Sequence, residues 1–154
     1  MKIYKIGIIG CGGIAQKMAA TLEKMKGVER YAVASRNQEK AEAFANKWGF
    51  TKAYGSYEEL ASDPEVDLIY IATPHAMHYD NAHMCIEKGK PVLCEKAFTA
   101  NARQAEDLLA FAKEKGVFIT EAIWTRYMPL SLKIQELLKE GVIGTPYTLS
   151  ANLS

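Results

Sequence analysis

Residues 3–15 read IYKIGIIGCGGIA, a short isoleucine-rich run that passes directly into a glycine-rich turn. The run at residues 3–9 has the length and the β-branched composition of a buried strand. An alanine-rich stretch that favours a helix follows the turn and extends to about Lys26. The sequence therefore predicts a strand, a glycine turn and a helix in immediate succession.

The same unit repeats along the chain. The next predicted strands are residues 28–35, 66–72, 91–94 and 117–122. The next predicted helices are residues 38–48, a short helix that starts at the capping box of Ser56 and Glu59, residues 79–88 and residues 102–115. This alternation predicts right-handed βαβ crossovers and a parallel sheet with helices on both faces. The expected fold class is α/β, a doubly wound parallel sheet of the Rossmann dinucleotide-binding type.

The last part of the chain has a different pattern. Residues 130–138 are amphipathic and end near Gly141, and residues 146–153 then alternate loosely like a strand. We expect a dinucleotide-binding domain at residues 1–122, and a connecting helix and first strand of a truncated α+β substrate domain at residues 123–154. The alternative is that residues 146–153 form an extra edge strand on the same sheet.

Composition and charge narrow the class of protein. Apolar residues make up 49% of the 154 residues and charged residues 24%, which is typical of a soluble globular protein. Nineteen Lys plus Arg against 18 Asp plus Glu give a net charge of +1, which argues against a nucleic-acid partner. Three cysteines without a zinc-type pair favour a reducing, cytoplasmic location and no metal, and no apolar run approaches a membrane span.

The glycine turn matches the pattern GxGxx(G/A) in the strand-to-helix context that gives this pattern its meaning. Gly10 permits the tight turn, Gly12 permits close approach of a pyrophosphate, and Ala15 permits close packing of the helix on the strand. The free N–H groups of the helix end stabilise an anion. We therefore expect a dinucleotide here; the alternative is a turn needed only for chain reversal. The candidate cofactor-binding residues are Gly10, Cys11, Gly12, Gly13 and Ile14.

The end of the second strand predicts which dinucleotide binds. It reads Ala34-Ser35-Arg36-Asn37 and has no carboxylate to bind ribose hydroxyls. Glu29 opens that strand and would lie at the opposite end of the sheet. Ser35 and Arg36 can bind a 2′-phosphate, which favours NADP over NAD. The alternatives are that Arg36 is a solvated loop residue, or that the domain binds another ligand.

Two later strand ends also carry candidate residues. The first is followed by Thr73, Pro74 and His75, with His78 three residues further on. A histidine in such a place either contacts the ligand or is structural.

The strand at residues 91–94 is followed by Glu95 and Lys96. Lys96 can donate a proton to a substrate oxygen, or accept one, while hydride is transferred, and Glu95 can orient its ammonium. The alternative is a surface ion pair.

The segment after residues 117–122 is rich in aromatic and charged residues. Trp124 and Arg126 are candidates for contact with nicotinamide or substrate, and interdomain packing is the alternative for both. Cys11 and Cys94 lie near the expected site, but no feature of the sequence activates their thiols, so we treat them as small apolar residues.

These segments together resemble a known family, the Gfo/Idh/MocA oxidoreductases, and within it the dimeric dihydrodiol dehydrogenase-like branch. The matching segments are GCGGIA at Gly10, ASR at Ala34, ATPHAMHY at Ala72, GKPVLCEKAFTAN at Gly89 and EAIWTRYMP at Glu121. The resemblance implies an N-terminal Rossmann domain, a C-terminal domain on an open antiparallel sheet, and association of the full-length protein into a homo-oligomer.

The resemblance also implies roles for particular residues. Lys96 would lie beside nicotinamide and substrate, and the cofactor site would be lined by Thr73, Pro74, His75 and His78. The sequence departs from the family at Ala97, where proline is usual, which weakens the turn that aims Lys96.

The expected function is that of an NADP-dependent dehydrogenase or reductase acting on a small alcohol or carbonyl compound such as a sugar, polyol or dihydrodiol. The alternative is a nucleotide-binding sensor or scaffold that uses the same pocket without turnover.

Overall fold

A computed structural model describes residues 2–152 of the chain. The strands are β1 (Tyr4–Ile9), β2 (Val28–Ala34), β3 (Lys52–Tyr54), β4 (Leu68–Ile71), β5 (Val92–Cys94) and β6 (Ile119–Glu121). All five neighbouring pairs are parallel, and the strand order is β3-β2-β1-β4-β5-β6. This is the order of the doubly wound Rossmann sheet, so the predicted fold class is confirmed. The edge strand β3 is not among the strands that we delimit from the sequence.

Within residues 2–152, six α-helices connect and follow the strands. They are α1 (Gly13–Leu22), α2 (Gln38–Trp48), α3 (Tyr57–Ser62), α4 (His78–Glu87), α5 (Ala102–Lys115) and α6 (Pro129–Lys139). Helix α1 ends four residues earlier than the predicted Lys26, because the chain leaves it in tight turns before β2 begins. The predicted bounds of α2 and α5 are confirmed, and Ser56 caps α3 by accepting a hydrogen bond from the backbone N–H of Glu59.

Two apolar cores lie on opposite faces of the sheet. Adjacent strand residues alternate between them: Ile8 packs with α1 and α2, whereas Ile9 packs with α3, α4 and α5. Tyr70 and Ile71 of β4 divide in the same way. Burial on both faces explains why the strands have almost continuous apolar sequences.

The strands end in register along one edge of the sheet. Ile9 of β1 lies opposite Ala34 of β2 and Ile71 of β4, and Ile71 in turn lies opposite Cys94 of β5. Cys94 lies opposite Glu121 of β6. Neighbouring strands are about 4.8 Å apart, so the chain leaves β2, β1, β4 and β5 at points spread over about 14 Å.

The contacts between Cα atoms divide the chain into two units, Met1–Ala122 and Ile123–Ser154. The second unit contains a short 3-10 helix, Trp124–Tyr127, and α6, which begins with Pro129 in its first turn. We expect a strand at residues 146–153, and for the described residues 146–152 this prediction is wrong. These residues form no strand, either of a second domain or at the sheet edge. Leu153 lies outside the described residues. A strand needs a partner for its N–H and C=O groups, and alternating polarity does not supply one.

Among the helices within residues 2–152, none combines the length and the apolar character that crossing a membrane requires.

Candidate functional site

The glycine turn after β1 is held between two neighbouring strands. Gly10 donates its backbone N–H to the carbonyl oxygen of Ala34 at 2.9 Å, and its φ is +100°, a conformation that L side chains rarely adopt. A Cβ atom on Gly10 would lie 2.8 Å from the carbonyl oxygen of Ala72, closer than real Cβ contacts allow. The turn that delivers the chain to α1 therefore requires glycine at this position.

The next two glycines leave open space at the start of α1. Gly12 is the N-cap residue, it is exposed, and a Cβ atom added to Gly12 or Gly13 would meet nothing within 4 Å. The first turn of α1 contains no acidic residue, and Ile14 is partly exposed beside it. Backbone N–H groups and the positive end of the helix dipole are therefore available to an anion that approaches the glycines. This cradle fits the pyrophosphate of a dinucleotide.

The end of β2 lies next to the glycine turn. The side chain of Ser35 is buried and its Oγ accepts a 3.4 Å hydrogen bond from the N–H of Asn37, whereas Arg36 is exposed. Burial raises the pKa of the Tyr57 hydroxyl at the start of α3, and the nearby guanidinium of Arg36 partly opposes this rise. Tyr57 therefore joins Ser35 and Arg36 at this end of the site, although it follows them by more than 20 residues.

Glu29 lies at the other end of the same strand, as the sequence predicts. It is paired with Lys5 near the start of β1, and its carboxylate accepts a 3.2 Å hydrogen bond from the hydroxyl of Thr51. The carboxyl edge of β2 thus presents a hydroxyl and a guanidinium without a carboxylate from its own strand, an arrangement that suits a phosphate group.

A side chain of α4 holds the loop that follows β4. The side-chain amide of Asn81 donates a 3.0 Å hydrogen bond to Oγ1 of Thr73, which leaves the hydroxyl hydrogen of Thr73 free to donate elsewhere. Pro74 and His75 are exposed, and His75 begins a short 3-10 helix, His75–Met77. Three of the four candidate residues in this loop are thus placed at the edge where the strands end.

His78 is placed differently from the other candidates in this loop. Its ring has no exposed surface, and its nitrogens lie 2.8 Å from the carbonyl oxygen of Ala97 and 2.9 Å from that of Thr73. This position favours the structural alternative for His78, and its contact with a ligand stays a prediction. The sequence could not reveal this, because Ala97 lies 19 residues away.

The loop after β5 carries the candidate catalytic residue. Lys96 is exposed, and the peptide bond between Lys96 and Ala97 is cis. The backbone N–H of Lys96 donates a 3.2 Å hydrogen bond to the carboxylate of Glu95, which also accepts a hydrogen bond from the hydroxyl of Tyr70. Glu95 therefore orients the Lys96 peptide, whereas we expect from the sequence that it orients the ammonium.

A residue of β6 holds the same loop from the other side. The carboxylate of Glu121 accepts a 2.8 Å hydrogen bond from the backbone N–H of Phe98. Burial, together with the nearby carboxylates of Glu121 and Glu95, raises the pKa of the Cys94 thiol to about 12. Burial also raises the pKa of the Cys11 thiol. Thiols with raised pKa values are weak nucleophiles at neutral pH, which agrees with the treatment of both cysteines as small apolar residues.

Trp124 and Arg126 lie in the second unit, on the 3-10 helix Trp124–Tyr127, and both are exposed there. Their roles stay predictions. Within residues 2–152, no group of three or more His, Cys, Asp or Glu side chains is arranged to hold a metal ion.

The first unit thus gathers most of the candidate residues along one edge. The open glycine turn follows β1, the side chains of Ser35 and Arg36 follow β2, and the exposed Lys96 follows β5. Three further residues, Tyr57, Tyr70 and Asn81, escape sequence analysis because each looks like an ordinary core or helix residue. The glycine pattern predicts that the site lies at the strand ends. It does not predict which side chains of neighbouring strands and helices reach those ends, because no local sequence pattern distinguishes them.

Comparison with known proteins identifies the relatives of this chain. Residues 4–122 match the family model GFO_IDH_MocA, described as an oxidoreductase family with an NAD-binding Rossmann fold. The chain is 46% identical, over 97% of its length, to a D-xylose 1-dehydrogenase (NADP(+)) of Hypocrea jecorina, of which the match covers 41%. It is 44% identical, over 90% of its length, to the mouse trans-1,2-dihydrobenzene-1,2-diol dehydrogenase, of which the match covers 42%. The chain therefore spans about two fifths of the length of these relatives.

Solved structures show the same fold. An NAD-binding oxidoreductase from Klebsiella pneumoniae superposes with a TM-score of 0.88 at 34% identity, over 92% of this chain and 40% of that one. A 3-ketoreductase from Actinomadura kijaniata in complex with NADP superposes with a TM-score of 0.84 at 32% identity, over 93% of this chain and 46% of that one.

Proposed function

This chain belongs to the Gfo/Idh/MocA oxidoreductase family, and we propose that it is the cofactor-binding portion of an NADP-dependent dehydrogenase or reductase. The enzyme would interconvert a small alcohol and the corresponding carbonyl compound. Its relatives are named as dehydrogenases of a sugar and of a dihydrodiol, which supports a sugar, polyol or dihydrodiol as substrate.

The observation that carries this proposal is the register of the strand ends. Because Ala34, Ile9, Ile71 and Cys94 lie side by side, the residues that follow them form one continuous line across the sheet. An extended dinucleotide laid along this line would place its adenosine end at β2, its pyrophosphate at the start of α1 and its nicotinamide end towards β5. Lys96, which follows β5, would then lie at the reacting end.

The preference for NADP rests on the end of β2. A 2′-phosphate bound here would lie near the Ser35 hydroxyl, the Arg36 guanidinium and the Tyr57 hydroxyl. Glu29, which has roughly the spacing of a ribose-binding acid, is hydrogen-bonded to Thr51 at the opposite end of the strand. One relative is named for NADP, and one structural neighbour was solved with it, which supports the same preference.

Different residues of this chain would bind the cofactor, transfer the proton and position the lysine. Bound NADP would supply the hydride acceptor, or NADPH the donor. Thr73 and Pro74, with His75, would line the cofactor site beside the nicotinamide end, and Cys11 and Ile14 would border the pyrophosphate. The ammonium of Lys96 would donate a proton to the substrate oxygen during reduction, and its amine would accept that proton during oxidation. Glu95 would hold the Lys96 backbone in place through its hydrogen bond to the peptide N–H.

Three wider features belong to the same proposal. Residues 123–154, with Trp124 and Arg126, would begin the substrate domain. The full-length enzyme would act as a homo-oligomer. Three free cysteines, two of them buried, suit a cytoplasmic location.

A titration tests the cofactor assignment directly. The chain is titrated with NADPH and with NADH while the fluorescence of Trp48 and Trp124 is followed. We expect tighter binding of NADPH and a loss of at least about tenfold in its affinity in Arg36→Ala, since a charge-assisted bond to phosphate contributes about 1.5–3 kcal/mol. Arg30→Ala is the matched control, because Arg30 lies in β2, the strand that Arg36 follows, but pairs with Glu23. Equal or absent binding of both nucleotides by a folded chain would contradict the proposal.

A further inference from the structure

The loop that carries Lys96 is held at both ends by carboxylates. At its start, Glu95 accepts hydrogen bonds from the hydroxyl of Tyr70 in β4 and from the backbone N–H of Lys96. At its end, Glu121 of β6 accepts a 2.8 Å hydrogen bond from the backbone N–H of Phe98. Lys96 therefore lies between two points at which the loop is hydrogen-bonded to neighbouring strands.

The hydrogen bond to Glu121 is one of three contacts that fix Phe98. The ring of Phe98 packs against the apolar core on the side of α3, α4 and α5, and its carbonyl oxygen lies 3.8 Å from the thiol of Cys94, a weak donor. Lys96 is two residues away from Phe98, and a chain of two residues spans at most about 7 Å. A fixed Phe98 thus limits where the backbone of Lys96 can lie.

Within residues 2–152, the carboxylate of Glu121 contacts this loop and forms no salt bridge. A backbone N–H donates a stronger hydrogen bond to a carboxylate than to a neutral oxygen. Without this acceptor, the part-buried N–H of Phe98 would lose its partner, which costs free energy. The proposed function gives Glu121 no role, and its contact with the loop supplies one.

We infer that Glu121 is a positioning residue: its carboxylate accepts the N–H of Phe98, fixes the end of the loop and thereby sets where Lys96 lies. Glu95 acts at the start of the same loop, so the two glutamates act together. The role of Lys96 in proton transfer rests on the proposed function, whereas the held loop is a property of the chain without nucleotide.

Two substitutions test whether the side-chain oxygen of Glu121 holds the loop. Glu121→Gln keeps an acceptor oxygen without a charge, and Glu121→Ala removes the acceptor. Amide hydrogen exchange is followed by NMR at Phe98, with Val92 of β5 as the reference, because its N–H donates to Phe118 within the sheet. We expect exchange at Phe98 relative to Val92 to accelerate at least about tenfold in Glu121→Ala and much less in Glu121→Gln.

Nitrogen-15 relaxation measures the motion of the loop itself. We expect order parameters of about 0.85 at Lys96 and Ala97 in the wild type and in Glu121→Gln, and values below about 0.6 in Glu121→Ala. Glu106→Ala is the matched control, because Glu106 is an exposed glutamate of α5, and it should change neither exchange nor order parameters. Unchanged order parameters in Glu121→Ala, or no recovery in Glu121→Gln, would overturn the positioning role.

The amide proton of Phe98 decides the question if Glu121→Ala does not fold. Its resonance should lie downfield in the wild type and move upfield in Glu121→Gln, because a neutral amide oxygen is the weaker acceptor. If this resonance does not move, the carboxylate of Glu121 is not the acceptor and the inference is overturned.

The last experiment connects the loop to the cofactor. The chain is acetylated with and without NADPH, and mass spectrometry compares Lys96 with Lys113, an exposed lysine of α5. We expect NADPH to slow acetylation of Lys96 severalfold in the wild type and in Glu121→Gln but not in Glu121→Ala. The dissociation constant of NADPH should change less than about threefold among the three chains.

Each other result of the acetylation experiment has one meaning. If NADPH binds the wild type without slowing acetylation of Lys96, or if the protection persists in Glu121→Ala, the positioning role is overturned. If the wild type binds no NADPH, the proposed function fails, whereas the exchange and relaxation measurements still test the held loop.

Discussion

The hydroxyl of Tyr70 in β4 donates a hydrogen bond to the carboxylate of Glu95, the first residue after β5. Burial raises the pKa of the Tyr70 hydroxyl, and the negative charge of Glu95 raises it further. The same carboxylate accepts the backbone N–H of Lys96 at 3.2 Å. A core residue of the sheet is thus linked, through one carboxylate, to the backbone of the candidate catalytic lysine.

Removal of the Tyr70 hydroxyl should lower the stability of the fold and leave the affinity for cofactor nearly unchanged. In Tyr70→Phe, we expect the free energy of unfolding to fall by about 1–2 kcal/mol, because Glu95 loses a hydrogen-bond donor in a largely buried place. NADPH affinity should change less than about twofold, since only 1% of Tyr70 is exposed. Urea denaturation and fluorescence titration measure the two effects. Tyr147→Phe, at a residue that is 94% exposed, is the control and should change neither quantity.

Substitution by alanine should affect different properties at two glycines of the same turn: stability at Gly10 and NADPH affinity at Gly12. Gly10→Ala places a Cβ atom 2.8 Å from the carbonyl oxygen of Ala72 at a φ of +100°, so we expect a loss of about 2–3 kcal/mol of stability. Gly12→Ala adds its methyl group to open space at a φ of −81°, so folding should be nearly unchanged while NADPH binding weakens severalfold. Thermal denaturation and NADPH titration separate the two. Equal stability of both variants would contradict the geometry of the turn.

A carboxylate at the end of β2 should change the cofactor preference. In Ser35→Asp, we expect NADPH to bind at least about tenfold more weakly, because a negative charge would face the 2′-phosphate. NADH has no such phosphate and should change much less, so the ratio of the two dissociation constants is the measurement. Ser35→Thr keeps the hydroxyl and adds no charge, and it should retain the preference for NADPH. A parallel loss for both nucleotides in Ser35→Asp would indicate damage to the fold instead.

Asp63 should make part of the stability dependent on acid pH. Burial alone would raise the pKa of its carboxyl, but hydrogen bonds from Tyr54, Lys52 and the N–H of Glu65 together lower it to about 2. A lowered pKa gives stability that is complete above the unfolded value near 3.8 and is lost as pH falls towards 2. This contribution is about 2 kcal/mol.

The variant Asp63→Asn lacks this ionisation. We expect the wild type to be the more stable of the two at pH 6, and the difference between them to shrink by about 2 kcal/mol between pH 4 and pH 2. Urea denaturation at a series of pH values measures it, and the shared acid sensitivity of all other carboxylates cancels in the difference. A difference that is constant over this range would show that the Asp63 carboxyl is not selectively stabilised in its charged form.

Short sequence patterns predict much of the fold. The glycine turn, the capping Ser56 and the helix ends at Gly49 and Gly116 each act within a few residues, so the sequence predicts them and the structure confirms them. Edge strand β3 has only three residues and no alternation long enough to recognise. The pattern at residues 146–153 illustrates the opposite error, since alternation without a partner strand does not form a sheet among the described residues.

Apart from β3, the amino-acid sequence alone determined the order of strands and helices in residues 1–122, the α/β class and the residues that would follow each predicted strand, because backbone propensity, capping and burial on two faces act over short stretches of chain. Only the tertiary structure decided that Ala34, Ile9, Ile71 and Cys94 end in register, and that His78 and Tyr70 reach the loop of Lys96. These relationships depend on packing between elements 19 or more residues apart, and such contacts leave no local pattern in the sequence.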